Sequence, residues 1–306
     1  MLHFLLHTEK GVLILLTLTA VMWGGNAVTA KYVTGELPPA TTAFFRFACV
    51  SAILLVMVWL KEGRRCLPDR GQLVGLAALA VTGILGHNLL IFFGVKYSTA
   101  TNMSLFAAVN PVITACLDAV FLHERLSRRQ SAGVGLSLAG VVVIITKGDW
   151  GVLAGLGFNT GDILLALAPV AWALYSVVGR RVMRRMSALA ATAWASLAGS
   201  VLLFAAALAE GFRGTVALSP LGWVSMLYMI FGSGVIAFYW WNQGVTVIGP
   251  SRAAIFMNVI PLAGMLFAAL LLGETVSLPQ AAGATLIIAG VWLTTQSAGR
   301  ARSQAG

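Results

Sequence analysis

The sequence predicts an all-α polytopic membrane protein of ten transmembrane helices, arranged as a 5+5 inverted-topology repeat around a central cavity. Composition, an internal duplication and the placement of basic residues carry that prediction. Of 306 residues, 59% are apolar and 10% charged, and mean hydropathy is +0.89. Soluble domains run nearer about 45–50% apolar and about 25% charged, so a water-soluble enzyme, a disordered chain and a fibre are excluded. A membrane-spanning helix takes roughly 20 apolar residues, and ten of them leave short connections and no soluble domain.

Apolar runs between charged or Gly/Pro-rich breaks mark ten spans, at 11–33, 38–60, 72–95, 98–121, 130–147, 162–180, 188–209, 221–243, 250–272 and 279–297. The first, with Lys10 ahead of it and Val28 and Ala30 near its end, also has the form of a secretory leader. The second opens at Pro38-Pro39, as helices tolerate proline in their first turn. Breaks between the third and fourth spans, and between the eighth and ninth, are so short that each pair must be a tight antiparallel hairpin.

Residues 94–141 shifted by 150 match 244–291 at sixteen of 48 positions without a gap, among them Gly94/Gly244, Pro111/Pro261, Glu124/Glu274, Gly133/Gly283 and Gly140/Gly290. A shift of 149 lays Trp23 on Trp172. The first span therefore has a counterpart in the sixth and belongs to the fold. The division that follows is 1–147 as a first repeat, 148–161 as an external linker, 162–297 as a second repeat and 298–306 as a cytoplasmic tail.

Five spans per copy make the copies point in opposite directions. With the N-terminus in the cytoplasm, inner segments carry 15 of the 20 basic residues and outer loops only Lys31, Lys96, Lys147 and Arg213. Residues 124–130 read ERLSRRQ where 274–280 read ETVSLPQ: Glu, Ser and Gln persist and every arginine is lost. The net charge of +10 is thus a topology signal, and nucleic-acid binding drops out. The expected arrangement is a membrane crossed many times, with both termini cytoplasmic.

Inverted repeats mark secondary transporters that bind substrate near the midplane between the halves. Competing classes find little support. His123-Glu124 continues as Arg-Leu-Ser and makes no zinc-protease motif, Gly161-Asp162 lacks the preceding glycine of an intramembrane aspartyl protease, and no GxSxG occurs. Cys49, Cys66 and Cys116 show no ligand spacing. No cofactor, metal or catalytic residue is expected. A structural subunit of a membrane complex stays open as a non-transport alternative.

Several residues sit where a substrate would meet them. Trp23 and Trp172 lie near midspan, away from the interface that tryptophan prefers; they either sandwich a flat solute or pack between helices with N–H bonded to a carbonyl. Asn26 and Tyr175 follow three residues on, on the same helical faces. His87 and Asn88 in the third span are costly in lipid unless paired or wet. His87 is either satisfied by a neighbour or available to a substrate or a proton. Asn110, Tyr239, Asn242 and Asn258 invite the same reading. Pro111 and Pro261 each remove a hydrogen bond and kink the helix, as gating or as static features. Arg46, Glu124 and Glu274 read as structural charges. Neutral polar groups with aromatics suit a zwitterion better than a sugar phosphate.

The ordered set Trp23-Gly24, Lys31, Pro38 or Pro39, Arg46-Phe47, Pro111, Glu124, Gly133, Gly140, Pro169-Val-Ala-Trp172, Pro261, Glu274 and Gly283 resembles the EamA branch of the drug/metabolite transporter superfamily over nearly the whole chain. The resemblance implies export of small metabolites by alternating access through a cavity enclosed by helices 1, 3, 4, 6, 8 and 9, with helices 5 and 10 peripheral. Within that branch it leans towards exporters of aromatic and other neutral amino acids, and it implies a bacterial inner membrane as the location. Small multidrug members of the superfamily carry a proton-exchanging glutamate in their first helix; this chain has Asn26 there and otherwise only Asp118 and Asp162. Facilitative export is therefore expected, with proton-coupled export of drugs or amphipathic metabolites as the alternative. The implied partners are a small-molecule substrate and membrane lipid, and a single copy of the chain would suffice.

Overall fold

The computed structural model describes residues 9–122, 127–149, 151, 158–248 and 254–303. All regular structure among them is helical. It falls into ten rods in the predicted order, and seven of the helices are long and apolar enough to cross a membrane, with shorter apolar helices at Phe256–Leu272 and Leu278–Leu293. The chain is thus a multi-pass membrane protein.

Six rods are single helices: Glu9–Glu36, Pro39–Glu62, Arg128–Thr146, Thr160–Val182, Ala188–Ala209 and Leu278–Ser303, the first, second, fifth, sixth, seventh and tenth spans. The other four are interrupted, and the interruptions pair by the 150-residue shift. The third span passes from Arg70–Leu79 through a π-helical segment, Ala80–Gly86, into His87–Tyr97. The eighth does the same through Tyr228–Ile236. The fourth breaks between Ala100–Ala107 and Asn110–Leu122, and the ninth has a 3₁₀ segment, Ala254–Asn258, before Val259–Leu272. Pro111 and Pro261 explain the latter pair. Neither has an N–H to give the carbonyl four residues earlier, that of Ala107 or Met257.

Packing shows the two-fold relation directly. A Cβ on Gly140 would lie 2.6 Å from the Gly283 carbonyl oxygen, and one on Gly290 would strike the Gly133 carbonyl. Contact of Gly140 with the counterpart of Gly133, and of Gly133 with the counterpart of Gly140, is the reciprocal pattern of a two-fold interface. Small residues let the fifth and tenth helices approach this closely. Likewise Gly94 packs against Leu165, and Gly244 against Leu16, its repeat-related pair. Lys31 near the end of the first span donates to Val95 O at 2.8 Å, while Asp162 at the start of the sixth accepts from Ser98. Both therefore reach the same end of the bundle, so the first and sixth spans run in opposite senses.

At that end carboxylates from one span cap the helix N-termini of another, where the backbone presents unpaired N–H groups and partial positive charge. Glu274 accepts from the Ala100 and Thr101 amides at 2.9 and 3.0 Å. Glu210 accepts from the Thr41 amide at 3.0 Å, and Glu36 from Ser219 at 2.7 Å. Asn102 links Asp162 at 2.8 Å to Gln280 at 2.7 Å. Glu274 thus has its structural part in capping the fourth span; Glu124 lies outside the described residues. At the opposite end Gln72 donates to Arg185 O at 3.1 Å and Ser187 to Glu62 at 2.7 Å.

Candidate functional site

Between the halves lies a cavity of about 170 Å³, walled by spans one to four and six to nine. The two π segments shape it. Such a segment replaces i→i+4 bonding by i→i+5 and so interrupts the regular ladder, and here side chains from other spans bond its carbonyls. Arg46 Nε donates to Met229 O at 3.2 Å, and Trp23 Nε1 to Ser233 O at 3.1 Å. In the third span Asn88 closes its own π segment, donating to Gly83 O at 2.9 Å and Ile84 O at 3.0 Å.

One wall is built by the first, second and eighth spans. The Ser233 hydroxyl accepts from Arg46 Nη2 at 3.3 Å and donates to Asn26 Oδ1 at 2.9 Å. Trp23 leans on Phe238 and Trp241, with ring centroids 5.5 and 5.3 Å away. The facing wall is built by the third, sixth and seventh spans. His87 Nδ1 lies 3.0 Å from Ala168 O. A carbonyl only accepts, so Nδ1 carries the proton, and in the uncharged ring Nε2 is left as an acceptor. Trp172 stands between His87 and Tyr175, 5.1 and 5.3 Å centroid to centroid.

Seven of the ten residues picked from sequence as substrate-facing therefore line this one cavity: Trp23, Asn26, His87, Asn88, Asn110, Trp172 and Tyr175. Tyr239 and Asn258 do not; Phe238, Met257 and Ile260 take those places. Asn242 and Asp118 have side chains outside the described residues. The two indoles are both engaged within their own walls, and no ring contact joins them. Pro111 and Pro261 act on the cavity through the backbone of Ala107 and Met257, both of which line it, whereas Pro169 lines it directly. Arg46, read from sequence as a structural charge, is only 7% exposed and faces the cavity. Thr192 and Ser196 on the seventh span were not singled out. Neither residue type stands out in an apolar span, where hydroxyls commonly back-bond to their own helix.

A family model described as the EamA-like transporter family matches residues 10–146 and again 159–296. The chain belongs to that family. Among EamA relatives, this chain is 31% identical over 273 residues, 89% of either chain, to "Uncharacterized transporter YyaM" of Bacillus subtilis. It is 27% identical over 282 residues, 90% of this chain and 92% of the other, to "Probable amino-acid metabolite efflux pump" of Salmonella typhimurium. A crystal structure 22% identical, covering 94% of this chain and 98% of its own, superposes with a TM-score of 0.62 and shows a shared fold. The protein is accordingly a membrane transporter of the EamA family, with a small-molecule substrate.

Proposed function

We propose that this EamA protein exports aromatic and other neutral amino acids, or closely related small metabolites, across a bacterial inner membrane by alternating access. The observation that carries the reading is the cavity's lining: five aromatic rings (Trp23, Phe47, Trp172, Tyr175, Phe238), mostly neutral polar groups and the single cation Arg46 around about 170 Å³. Pockets for drug-sized ligands run to roughly 300–1,000 Å³, so a solute of amino-acid size suits this one better than a drug. The name of the Salmonella relative speaks for the same substrate class. No carboxylate stands among the described residues on the wall, which favours facilitative export over proton exchange. On this reading the ends bearing Lys31 and Glu274 face outward, the termini are cytoplasmic, and 148–161 is an external linker between repeats.

The test is flux of labelled phenylalanine, threonine and a nucleoside from proteoliposomes, with and without a pH gradient. Amino-acid flux that ignores the gradient is expected. Nucleoside flux without amino-acid flux would overturn the substrate class, and about tenfold acceleration by an opposing proton gradient would overturn the facilitative mechanism.

A further inference from the structure

We infer that Arg46 is the carboxylate-binding residue of the cavity, with Asn110 and His87 supplying acceptors for the ammonium group of the same substrate. The inference rests on the amino-acid reading for the second half and stands on Arg46 alone for the first. It begins from an imbalance of hydrogen-bonding groups. A guanidinium has five N–H donors. Arg46 uses two, on Met229 O and Ser233 Oγ, and its carbon sits 5.3 Å from the centre of the Phe47 ring. The other three N–H groups find no acceptor, and the charge no carboxylate, among the described residues. An arginine at this depth is unfavourable by at least about 2.5–3.5 kcal/mol on insertion scales. No neutralising partner stands among the described residues, and the side chain faces the cavity between the halves.

Acceptors are in surplus around the same cavity. Asn110 Oδ1 and Ser196 Oγ are buried side-chain atoms without a hydrogen-bond partner among the described residues, and both residues line the cavity. Buried polar groups are rarely left unpaired, so two such groups around one space point to a ligand. His87 cannot take the carboxylate in its uncharged form, because its only N–H is held by Ala168 O; its Nε2 can accept. The cavity thus has a planar cation able to bind a carboxylate by its fork, and separate neutral acceptors for an ammonium. That is the complement of an α-amino acid.

The cation has no counterpart in the other repeat. The shift that lays Thr42-Ala43 on Thr192-Ala193 lays Arg46 on Ser196. Only one carboxylate can be held, and it is held on the Arg46 wall, with the neutral acceptors of Asn110 and His87 elsewhere around the same cavity.

The experiment is thermal protection of the purified full-length protein in detergent by three probes: L-phenylalanine, 3-phenylpropionate (carboxylate without amine) and phenethylamine (amine without carboxylate). The first two should protect the wild type and the third should not. Arg46→Gln should weaken carboxylate binding about tenfold or more, with phenethylamine unchanged. Arg46→Lys keeps the charge and loses the fork, so it should show the same preference at lower affinity; it decides the matter should the Gln variant not fold. Asn110→Leu should erase the advantage of L-phenylalanine over 3-phenylpropionate. Equal protection by phenethylamine, no protection by either carboxylate, or unchanged carboxylate affinity in both Arg46 variants would overturn the inference. Protection by 3-phenylpropionate through Arg46, with no binding or flux of L-phenylalanine, would keep the anion subsite and sink the amino-acid reading instead.

Discussion

On the wall formed by the first and eighth spans, Trp23 bonds a π-segment carbonyl, and Ser233 ties Asn26 to Arg46. On the wall formed by the sixth and third, the corresponding positions hold Trp172, Gly83 and Tyr175, and no hydroxyl stands between them. The Ser233–Asn26 pair has become Gly83–Tyr175: where one repeat closes the gap with a hydrogen bond, the other removes a Cβ so that a ring can enter. Both solutions fill the same space beside a π turn, one with polar chemistry and one with aromatic surface. A duplicated scaffold has thereby acquired one wall tied by a hydroxyl bridge and another filled by packed rings.

The largest effect should come from forcing one wall to imitate the other. A Cβ at Gly83 would lie 2.2 Å from Cδ2 of the Tyr175 ring. Gly83→Ser must displace that ring, and overpacking of this kind costs about 1–3 kcal/mol; the upper end is expected here because Tyr175 is 8% exposed and has nowhere to go. Transport should fall to background and unfolding in detergent should come earlier. A variant with native flux would mean that Tyr175 is free to move and that the aromatic wall is soft.

Trp172→Ala comes next. Removing a buried tryptophan costs about 3–5 kcal/mol; Trp172 is half-buried and opens on the cavity, so about 2 kcal/mol is expected. His87 and Tyr175 lose the ring between them, and selectivity for aromatic over small amino acids should fall in competition flux assays. Trp23→Ala, on the polar wall, should change affinity for all amino acids alike. If both substitutions shift selectivity equally, the two walls do not divide the work.

Ser233→Ala should act more mildly and in a different way. It keeps the helix and deletes the hydroxyl between Arg46 and Asn26. A bond to a charged group is worth about 1.5–3 kcal/mol, and the 3.3 Å separation puts the loss near the low end. Carboxylate substrates should bind severalfold less tightly while an amine such as phenethylamine is unaffected. An equal loss for both would show that Ser233 supports the fold and leaves the charge alone.

The scaffold was far more legible in the sequence than the division of its walls. Span length and charge placement are set by the membrane itself, so ten apolar runs and the ERLSRRQ/ETVSLPQ contrast reported the architecture without any contact being known. Trp23, His87, Asn88, Asn110 and Trp172 stood out because polar or interfacial residues at midspan need a reason. The π segments left no comparable mark. Phe238 takes the cavity position rather than Tyr239, one residue along, and the extra residue that a π turn inserts makes that register unreadable from α-helical spacing. Arg46 was visible, but the face it occupies depends on how the second span packs against Met229 and Ser233. Sequence alone therefore left open whether it met lipid headgroups, a protein carbonyl or a solute.

The smallest effect tests the comparison at its most symmetrical point. Position 87 corresponds to 237 and position 168 to 19, so the contact of His87 with Ala168 O has its partner in Thr19, whose hydroxyl donates to Ala237 O at 3.4 Å. The same pair of positions is bridged in both walls with the donor moved to the other span. Thr19 is fully buried and away from the cavity lining, whereas His87 belongs to it. Hydrogen bonds between membrane helices average about 0.6 kcal/mol, and Thr19→Val keeps the side chain's shape, so a loss of about 0.5 kcal/mol with unchanged flux and selectivity is expected. His87→Leu breaks the equivalent bond and also removes an acceptor from the wall, so its flux should fall while its thermal stability shifts by a similar small amount. Matching flux defects in the two variants would mean that the bridge between spans matters and the imidazole does not. A defect confined to His87→Leu would place the difference between the walls in the chemistry they show the solute, on a frame that both repeats share.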